Sequence, residues 1–467
     1  MPLSEKSRNV HFVGIGGIGM SGIAELLMSQ GHRVTGSDLS DSESVKRLKG
    51  LGAEIQLGHS EEILIKYLPH VLVFSTAVSP DNPEIVFAKK NKIPVIRRAE
   101  MLGELMRLKR GIGVAGSHGK TTTTGMLSMI LKEAGKDPTV VIGGRLDAIG
   151  SNATWGGGEW LVAEADESDG SFLKLSPEYA IVTNIDFEHL DHYSNIEGVK
   201  QSFLDYLDKL PFYGKAFLCS DSLSLREIAP QINKSVSWYG FSKEFKPDFL
   251  LKVLEEGASP RFEIYSQQDN YSKVKMTLTT SVPGRHNMLN AAAAALLALE
   301  LDISVASVAQ GLRSFRGVSR RFERKGEYKG ITIYEDYAHH PTEIEATLMA
   351  ARSVFPNAKI GVVFQPHRFS RTKLCWNEFA HCFKSCDELI SLPIYAASEK
   401  KESWALNFDK EEFAKNVISP KAQFEDSLDS SIQRIYKWIE TGTLKAGDVL
   451  FVLGAGDVYK IISKILK

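Results

Sequence analysis

The chain has 467 residues, of which 43% are hydrophobic and 24% charged, and its formal net charge is -1. This length exceeds what one hydrophobic core usually serves, so we expect two to four domains. The balanced charge leaves no broad basic surface for nucleic acid or anionic lipid, and no window approaches ~18 uninterrupted apolar residues. We therefore expect a cytoplasmic protein that acts on small molecules, with no nucleic-acid partner and no membrane insertion.

The first domain is predicted over residues 1–109, where short apolar segments alternate with helical patterns as in parallel βα units. The segment HFVGIGGIGMSG contains a G-x-G-x-x-G turn made by Gly14, Gly16 and Gly19, and Asp38 ends the next predicted strand. This pattern is typical of a turn that binds a nucleotide diphosphate at a helix N-terminus. Asp38 has two possible roles at this stage, contact with the nucleoside or stabilisation of the strand-terminal turn.

A second glycine-rich loop, AGSHGKTTTT, lies between a predicted strand and a predicted helix. Gly116 and Gly119 would let backbone N–H groups approach phosphate oxygens. Lys120 would reach the β- and γ-phosphates, and Thr121 would offer its hydroxyl to Mg²⁺. The match to G-x-x-x-x-G-K-[ST] is imperfect, because Val114 stands where a glycine is expected. The alternative is a strand-to-helix turn that binds no phosphate.

Two acidic clusters follow the next two predicted strands of this region. They comprise Glu164, Asp166, Glu167 and Asp169 in the first, and Asp186, Glu188, His189 and Asp191 in the second. Each cluster alone could be a solvated loop. Together with the loop at the carboxyl edge of one parallel sheet, they favour a Mg²⁺-nucleotide site.

The remaining sequence predicts an α/β protein of three domains. A central domain with a P-loop ATPase-type parallel sheet is expected over residues 110–318, with a small antiparallel β appendage near residues 243–282. A third domain is expected over residues 319–467. Both the first and the third domain are expected to be Rossmann-like. Within the third domain Cys375, Cys382 and Cys386 recur at helical spacing around His381, which suggests either a metal cluster or, as we expect, a buried face of reduced thiols.

Nine segments in order resemble the ATP-dependent Mur ligase family over essentially the whole chain. They are GIGGIGMSG, STAVS, GSHGKTTTT, EADESDGSF, NIDFEHLDHY, GRHNMLNAAAA, FRGVSRRFE, EDYAHHPTEI and QPHRFSRT. The resemblance implies an enzyme of peptidoglycan precursor synthesis that uses ATP and Mg²⁺ to join L-alanine to the lactyl carboxylate of UDP-N-acetylmuramate through an acyl phosphate. It also implies that the first glycine turn holds a UDP-sugar.

The resemblance assigns roles to residues, motif by motif. The residues implied for ATP are Gly116, Ser117, His118, Gly119, Lys120, Thr121, Thr122, Asn287, Asn290, Arg321 and Asp336. Those implied for the UDP-sugar are Gly14, Gly16, Gly17, Gly19, Met20, Ser21, Asp38, Ser75 and Ser79. Those implied for the amino acid are Tyr337, His339, His367, Arg368 and Arg371. The implied metal ligands are Thr121, Glu164 and His189, and the implied catalytic residues are Lys120, Glu164, His189 and Arg321.

Several alternatives remain at this stage. A recycling ligase of the same family would join the sugar nucleotide to a preformed tripeptide, although EADESDGSF differs from the EYDTAF that such enzymes resemble. A nicotinamide-dependent dehydrogenase would leave Lys120, Glu164 and His189 without a role, and a non-catalytic UDP-sugar binding protein would tolerate loss of Lys120. The acceptor of the amine proton is His339, His340 or neither, and we expect a monomer or weak homodimer.

Overall fold

The computed structural model describes residues 7–75, 77–146, 151–188, 192–397, 399 and 411–467. Within these residues, three consecutive stretches of chain each form a sheet that is mainly parallel and is flanked by helices. This arrangement confirms the predicted three-domain α/β class. The predicted boundaries after residues 109 and 318 stay predictions.

The first sheet contains only parallel pairs in its described strands and has a reversal of strand order at its centre. Its strands are β1 (Asn9–Val13), β2 (Arg33–Asp38), β3 (Glu54–Leu57), β4 (Val71–Phe74) and β5 (Val95–Arg97). Its helices are α1 (Ile18–Ser29), α2 (Glu43–Gly50), α3 (Glu62–Tyr67), α4 (Pro83–Lys90) and α5 (Arg98–Met106). The order β3-β2-β1-β4-β5 reverses between β1 and β4. Ligands of open parallel sheets bind at such a reversal, which here is the carboxyl end of β1, where the first glycine turn lies.

The second sheet is the largest and has ten strands in the described part of the chain. Its strands are β6 (Arg110–Ala115), β7 (Thr139–Leu146), β8 (Ser151–Thr154), β9 (Trp160–Glu164), β10 (Tyr179–Val182), β11 (Lys215–Cys219), β12 (Ser235–Gly240), β13 (Phe249–Glu255), β14 (Arg261–Ser266) and β15 (Val274–Thr279). Its helices are α6 (Lys120–Glu133), α7 (Ile196–Leu207), α8 (Leu223–Ile228), α9 (Arg285–Glu300) and α10 (Val305–Ser314). Single 3-10 turns occupy Ser171–Lys174, Ala229–Gln231, Lys243–Phe245 and Gln267–Asp269.

Strand order in this sheet places the phosphate loop between the two acidic clusters. The order is β15-β14-β13-β12-β11-β10-β6-β9-β7-β8. The loop follows β6, and the acidic clusters follow its two neighbours, β9 and β10. The predicted appendage is an extension of this sheet, because β13 pairs in parallel with β12 and only β14 and β15 continue as an antiparallel edge.

The alanine-rich helix α9 packs in the core against α6, the helix that follows the phosphate loop. Its segment from Ala291 to Ala298 is buried throughout. Small side chains allow such close approach, and α10 uses Gly311 in the same way, since a Cβ there would lie 2.5 Å from the Cα of Ile130 on α6. The helix that follows the phosphate loop is therefore packed closely against both α9 and α10.

The third sheet is parallel except for its first strand. Its strands are β16 (Glu323–Tyr328), β17 (Ile331–Asp336), β18 (Ile360–Phe364), β19 (Glu388–Ser391), β20 (Ala422–Phe424) and β21 (Val449–Leu453). Its helices are α11 (Pro341–Val354), α12 (Phe369–Leu374), α13 (Trp376–Phe379), α14 (Glu412–Asn416), α15 (Leu428–Glu440) and α16 (Lys460–Ile465). The strand order is β16-β17-β21-β18-β19-β20, and β16 runs antiparallel to β17.

The cysteines of the third domain and the lengths of the helices were the subject of two further predictions. Cys375, Cys382 and Cys386 are buried free thiols packed around Phe379 and Phe383, as expected for a core face. They belong to none of the metal-ligand groupings found among the described residues. None of the helices in these residues combines the length and the apolar character that a membrane span requires.

Candidate functional site

The first glycine turn is held by backbone contacts and one carboxylate. Gly14 has φ +76°, a conformation that favours glycine. The N–H groups of Gly14 and Ile15 donate to the Ser37 carbonyl at 2.9 and 3.0 Å, and the Gly16 N–H donates to Asp38 Oδ2 at 2.8 Å. The structure thus shows the turn-stabilising role of Asp38, while a nucleoside contact stays a prediction.

Other residues predicted for the UDP-sugar lie around this turn. Met20 and Ser21 are buried at the start of α1, and the Ser75 hydroxyl lies 3.8 Å from the position that a Gly14 Cβ would take. Ser79 lies on the connection that follows β4, where its hydroxyl accepts the Asp81 N–H at 3.3 Å. Gly17 precedes α1. The role of these residues in binding a UDP-sugar stays a prediction.

Arg98, which the sequence analysis missed, links this turn to the central sheet. Its side chain packs closely against Gly19, because a Cβ added to this glycine would lie 3.0 Å from Arg98 Cδ. Its Nη2 atom is 4.0 Å from Asp166 Oδ2 in the first acidic cluster. A single basic residue after β5 is not part of a recognisable motif, so the sequence did not indicate this contact with Asp166.

A buried polar network lies beneath the first turn. Glu84 on α4 is fully buried and accepts from His11 Nε2 at 2.7 Å and from the Ser37 hydroxyl at 2.9 Å. His59 Nδ1 lies 3.3 Å from the other oxygen of the same carboxylate. Because the Ser37 carbonyl receives the turn's N–H groups, the network fixes the position of the turn.

The second glycine loop joins β6 to α6 and is anchored to the end of β10. Gly116 has φ +131°, and a Cβ there would overlap the Thr183 hydroxyl. The His118 N–H donates to Asn184 Oδ1 at 2.8 Å, and the Ser117 hydroxyl accepts the Asp186 N–H at 2.8 Å. These contacts leave the N-terminus of α6 open toward the cleft.

Lys120 is the first residue of α6 and is folded back over the loop. Its Nζ donates to the Gly116 carbonyl at 2.6 Å and lies 2.8 Å from Glu167 Oε2. Although burial opposes the charge, the carboxylates of Glu167, Asp166 and Glu164 raise the pKa of Lys120 above its usual range. The ammonium is therefore charged and held at the loop where phosphate would bind.

Thr121 and Glu164 supply hard oxygen ligands next to this ammonium. The Thr121 hydroxyl lies 3.0 Å from Glu164 Oε2, which also accepts the Gly143 N–H at 2.7 Å. Burial raises the pKa of Glu164, and a divalent cation bound there would favour the carboxylate. The donor set fits Mg²⁺. The third predicted ligand, His189, lies outside the described residues.

A second group could hold a metal ion where the central and third domains meet. His118, Glu188 and His340 each offer a ligand atom, and these atoms lie within 4.8 Å of one another. Arg371 Nε is 3.7 Å from Glu188 Oε1. Although burial raises it, the charges of His118 and Arg371 lower the pKa of Glu188 to about 2. Since two cationic side chains already face this carboxylate, the Thr121–Glu164 pair is the better fit to Mg²⁺.

A cavity of about 490 Å³ opens beside the phosphate loop. Its lining includes His118, Gly119, Thr121, Thr122, Asn287, Asn290, Arg321 and Asp336, all predicted for ATP. Asn290 Nδ2 donates to Asn287 Oδ1 at 3.2 Å, and burial raises the pKa of Asp336 to about 6. The volume is in the range of small-molecule sites. The structure therefore brings the predicted ATP residues of the central and third domains together.

Glu343 joins three of these regions, and the sequence analysis missed it. Its Oε1 accepts from Arg321 Nη1 at 3.2 Å and lies 3.4 Å from His118 Nδ1, while Asp186 Oδ2 lies 2.9 Å from His118 Nε2. Although burial lowers it, these carboxylates raise the pKa of His118 to about 10. His118 therefore carries a positive charge in the phosphate loop at neutral pH.

The residues predicted for the amino acid gather between β17, α11 and α12. His339 Nδ1 donates to the Tyr337 carbonyl at 2.8 Å, and burial and Arg371 lower its pKa to about 3, so its Nε2 carries a lone pair. Arg371 Nη1 donates to His367 Nδ1 at 3.3 Å. The backbone N–H of Arg368 donates to a backbone carbonyl, and this hydrogen bond fixes the turn before α12. Arg371 thus faces the cleft edge at which Glu188 already supplies a carboxylate.

Comparison with known proteins gives consistent matches along the chain. Sequence profiles of the Mur ligase family, catalytic domain, of the Mur ligase middle domain and of the Mur ligase, glutamate ligase domain match residues 9–110, 114–298 and 320–456. A UDP-N-acetylmuramate–L-alanine ligase from Solidesulfovibrio magneticus is 46% identical over 98% of both chains. A protein of the same name from a Geobacter species is 47% identical over 98% of this chain and 96% of its own.

Solved structures agree with these sequence matches. A UDP-N-acetylmuramate-alanine ligase from Thermotoga maritima superposes with a TM-score of 0.80 at 30% identity, covering 98% of both chains. A murein peptide ligase from Psychrobacter arcticus shares the fold with a TM-score of 0.71 at 24% identity over 98% of both chains. Because the profiles cover each of the three domains and the curated relatives align over nearly the full length, the chain belongs to the Mur ligase family.

Proposed function

We propose that this protein is an ATP-dependent ligase that joins L-alanine to the lactyl carboxylate of UDP-N-acetylmuramate, giving UDP-N-acetylmuramoyl-L-alanine, ADP and phosphate. The observation that carries the proposal is the 46% identity, over 98% of both chains, with a ligase named for these substrates. The site supports it with a phosphate loop, a diphosphate-type turn and an arginine at the cleft edge in one molecule. The product places the enzyme in peptidoglycan precursor synthesis.

ATP explains why the chain has two phosphate-type turns. Amide formation from a carboxylate is unfavourable in water, so the carboxylate has to be activated. We propose that the lactyl carboxylate attacks the γ-phosphorus of ATP, releasing ADP and forming an acyl phosphate. Lys120 would neutralise charge on the transferring phosphoryl group, and His118 and Arg321 would add positive charge at the cleft side.

Thr121 and Glu164 would hold Mg²⁺ in this proposal, together with His189. When bound, Mg²⁺ would neutralise phosphate oxygens and fix their orientation. Of this chain's own residues, Glu164 keeps its carboxylate aimed at the loop through the Gly143 N–H. Asn287, Asn290 and Asp336 would position the nucleotide in the adjoining cavity.

The second half-reaction is attack of the L-alanine amine on the acyl phosphate carbonyl, with expulsion of phosphate from the tetrahedral intermediate. Arg371, with His367 and Arg368, would bind the alanine carboxylate. The neutral His339 offers Nε2 as an acceptor for an amine N–H. Tyr337, whose ring lies 5.4 Å from the Arg321 guanidinium carbon, would close the amino-acid side.

The test measures phosphate release from ATP and Mg²⁺ with UDP-N-acetylmuramate, in the presence and absence of L-alanine, and follows the product by mass. We expect release that requires both substrates and a product heavier by one alanyl residue. Product formation only with a preformed tripeptide would move the assignment to a recycling ligase. Absence of release with either acceptor, or turnover that depends on a nicotinamide cofactor, would contradict the proposal.

A further inference from the structure

Glu343 is a buried carboxylate in the first turn of α11 that the proposed chemistry does not use. Its side chain is 9% exposed. Oε1 accepts from Arg321 Nη1 at 3.2 Å and lies 3.4 Å from His118 Nδ1. Oε2 accepts the His339 N–H at 3.2 Å and lies 3.3 Å from His339 Nδ1. One carboxylate therefore contacts three residues, of which His118 and Arg321 line the cavity.

These three groups come from different parts of the molecule. His118 belongs to the phosphate loop of the central sheet, Arg321 to the connection before β16, and His339 to the connection between β17 and α11. Glu343 itself belongs to the third domain. The contact with His118 therefore exists only when the third domain lies against the phosphate loop.

The charge of the Glu343 carboxylate stabilises two neighbouring cations. His118 and Arg321 are both positive and both line the cavity beside the phosphate loop. The two cations repel each other, and an anion placed between them offsets this repulsion by attracting both. Although burial opposes the charge, the cationic partners hold the pKa of Glu343 well below its usual range, and the N-terminus of α11 also favours a negative charge.

We propose that Glu343 is a positioning residue for the ligation, through which closure of the third domain orients His118 and Arg321 for phosphoryl transfer and fixes His339 on the amino-acid side. This inference rests on the function proposed above. It adds a residue that links the nucleotide half of the site to the amino-acid half through direct contacts on both sides.

Glu345 provides a matched control on the same helix. Its carboxylate lies 2.5 Å from Lys384 Nζ, so that its ion pair lies entirely within the third domain. Removing either carboxylate deletes a negative charge from α11, but only Glu343 reaches the phosphate loop. Because the Glu343 side chain is more buried than that of Glu345, thermal midpoints are measured for both variants, so that a loss of fold stability is not mistaken for a loss of kcat.

The experiment compares steady-state kinetics and thermal midpoints of the wild type, Glu343→Gln, Glu343→Asp and Glu345→Gln. We expect Glu343→Gln to lower kcat about 10- to 100-fold, as misplaced reacting groups do. The KM for the UDP-sugar should stay within about twofold, since the first turn is untouched. Glu343→Asp should recover part of kcat, and Glu345→Gln should match the wild type. A kcat of Glu343→Gln within twofold of the wild type would overturn the inference.

A double-mutant cycle separates positioning from fold stability. Glu343→Gln and His118→Gln should be strongly non-additive in kcat/KM, because both remove the same contact. Additive losses, or a kcat loss that Glu345→Gln reproduces, would reject the positioning role.

Small-angle scattering with ADP and Mg²⁺ gives a readout that needs no turnover. Glu343→Gln should show a larger radius of gyration than the wild type and Glu345→Gln. Equal radii would overturn the inference even if the wild type failed to ligate alanine, whereas that failure alone would count only against the proposed function.

Discussion

The two glycine turns of this protein follow the same local design and differ in charge. Each follows a parallel strand inside its sheet and precedes a helix. The first, from Gly14 to Gly19, has no ionisable side chain of its own, and Asp38 supports it from β2. The second carries His118 and Lys120, with Glu164, Glu167 and Asp186 around it.

The difference shows what phosphate binding and phosphoryl transfer each require. Backbone N–H groups at a helix N-terminus suffice to hold a diphosphate. Transfer also needs charge that meets the phosphoryl group as it moves, and buried cations need carboxylates to remain charged before the nucleotide arrives. The second turn has such cations and the carboxylates that keep them charged, since Lys120 lies against Glu167 and His118 lies against Asp186.

Removal of the loop ammonium should have the largest effect on activity. We expect Lys120→Ala to lower ATP-dependent phosphate release by about 10²- to 10³-fold, because one preorganised charge at the phosphoryl group is lost. Binding of the UDP-sugar at the first turn should be unchanged in calorimetry. Lys132→Ala, at the exposed end of the same helix, is the control and should retain activity. Full activity of Lys120→Ala would contradict the assigned role.

Damage to the network beneath the first turn should have the opposite pattern. Glu84→Gln places an amide where three donors converge, and we expect the free energy of unfolding to fall by about 2 kcal/mol. Chemical denaturation would measure this loss. UDP-sugar affinity should fall with it, whereas ADP affinity at the second turn should be kept. An equal loss of both affinities would show that the two turns are not independent.

Alkaline titration should weaken the contacts that His118 makes at the second turn. The pKa of His118 is raised to about 10 from an ordinary value of 6.5, so the folded state binds the proton more tightly than the unfolded state. Its stabilising contribution is therefore fully present below about pH 6.5 and is lost as the pH rises toward 10. The thermal midpoint should fall more between pH 7 and about pH 10 in the wild type than in His118→Gln. Equal falls in the two proteins would refute this assignment.

The smallest effect is expected at Asp38. Asp38→Asn exchanges a charged acceptor of the Gly16 N–H for a neutral one, which we expect to cost about 1 kcal/mol. UDP-sugar binding should weaken by about fivefold. A loss of a hundredfold or more would instead indicate a direct nucleoside contact, the other role considered for this residue.

The glycine loop and the acidic clusters could be predicted from the sequence because each is a pattern of adjacent residues. A loop between strand and helix is encoded in a few adjacent residues, so Gly116 through Thr121 and the cluster at Glu164 could be identified without coordinates. Arg98, Asn184 and Glu343 were missed for the opposite reason. Each acts on a partner more than 20 residues away, and an isolated basic, amide or acidic residue carries no pattern that names its partner.

The α/β class, the order of the three domains and the two glycine turns follow from the sequence alone, because hydrophobic periodicity and turn chemistry are properties of short segments. Packing in three dimensions made β13 to β15 an extension of the central sheet and placed both acidic clusters beside β6. It also decided that His118 and Arg321 share one carboxylate of the third domain. Strand order and domain contact depend on packing between distant segments, which no local pattern specifies.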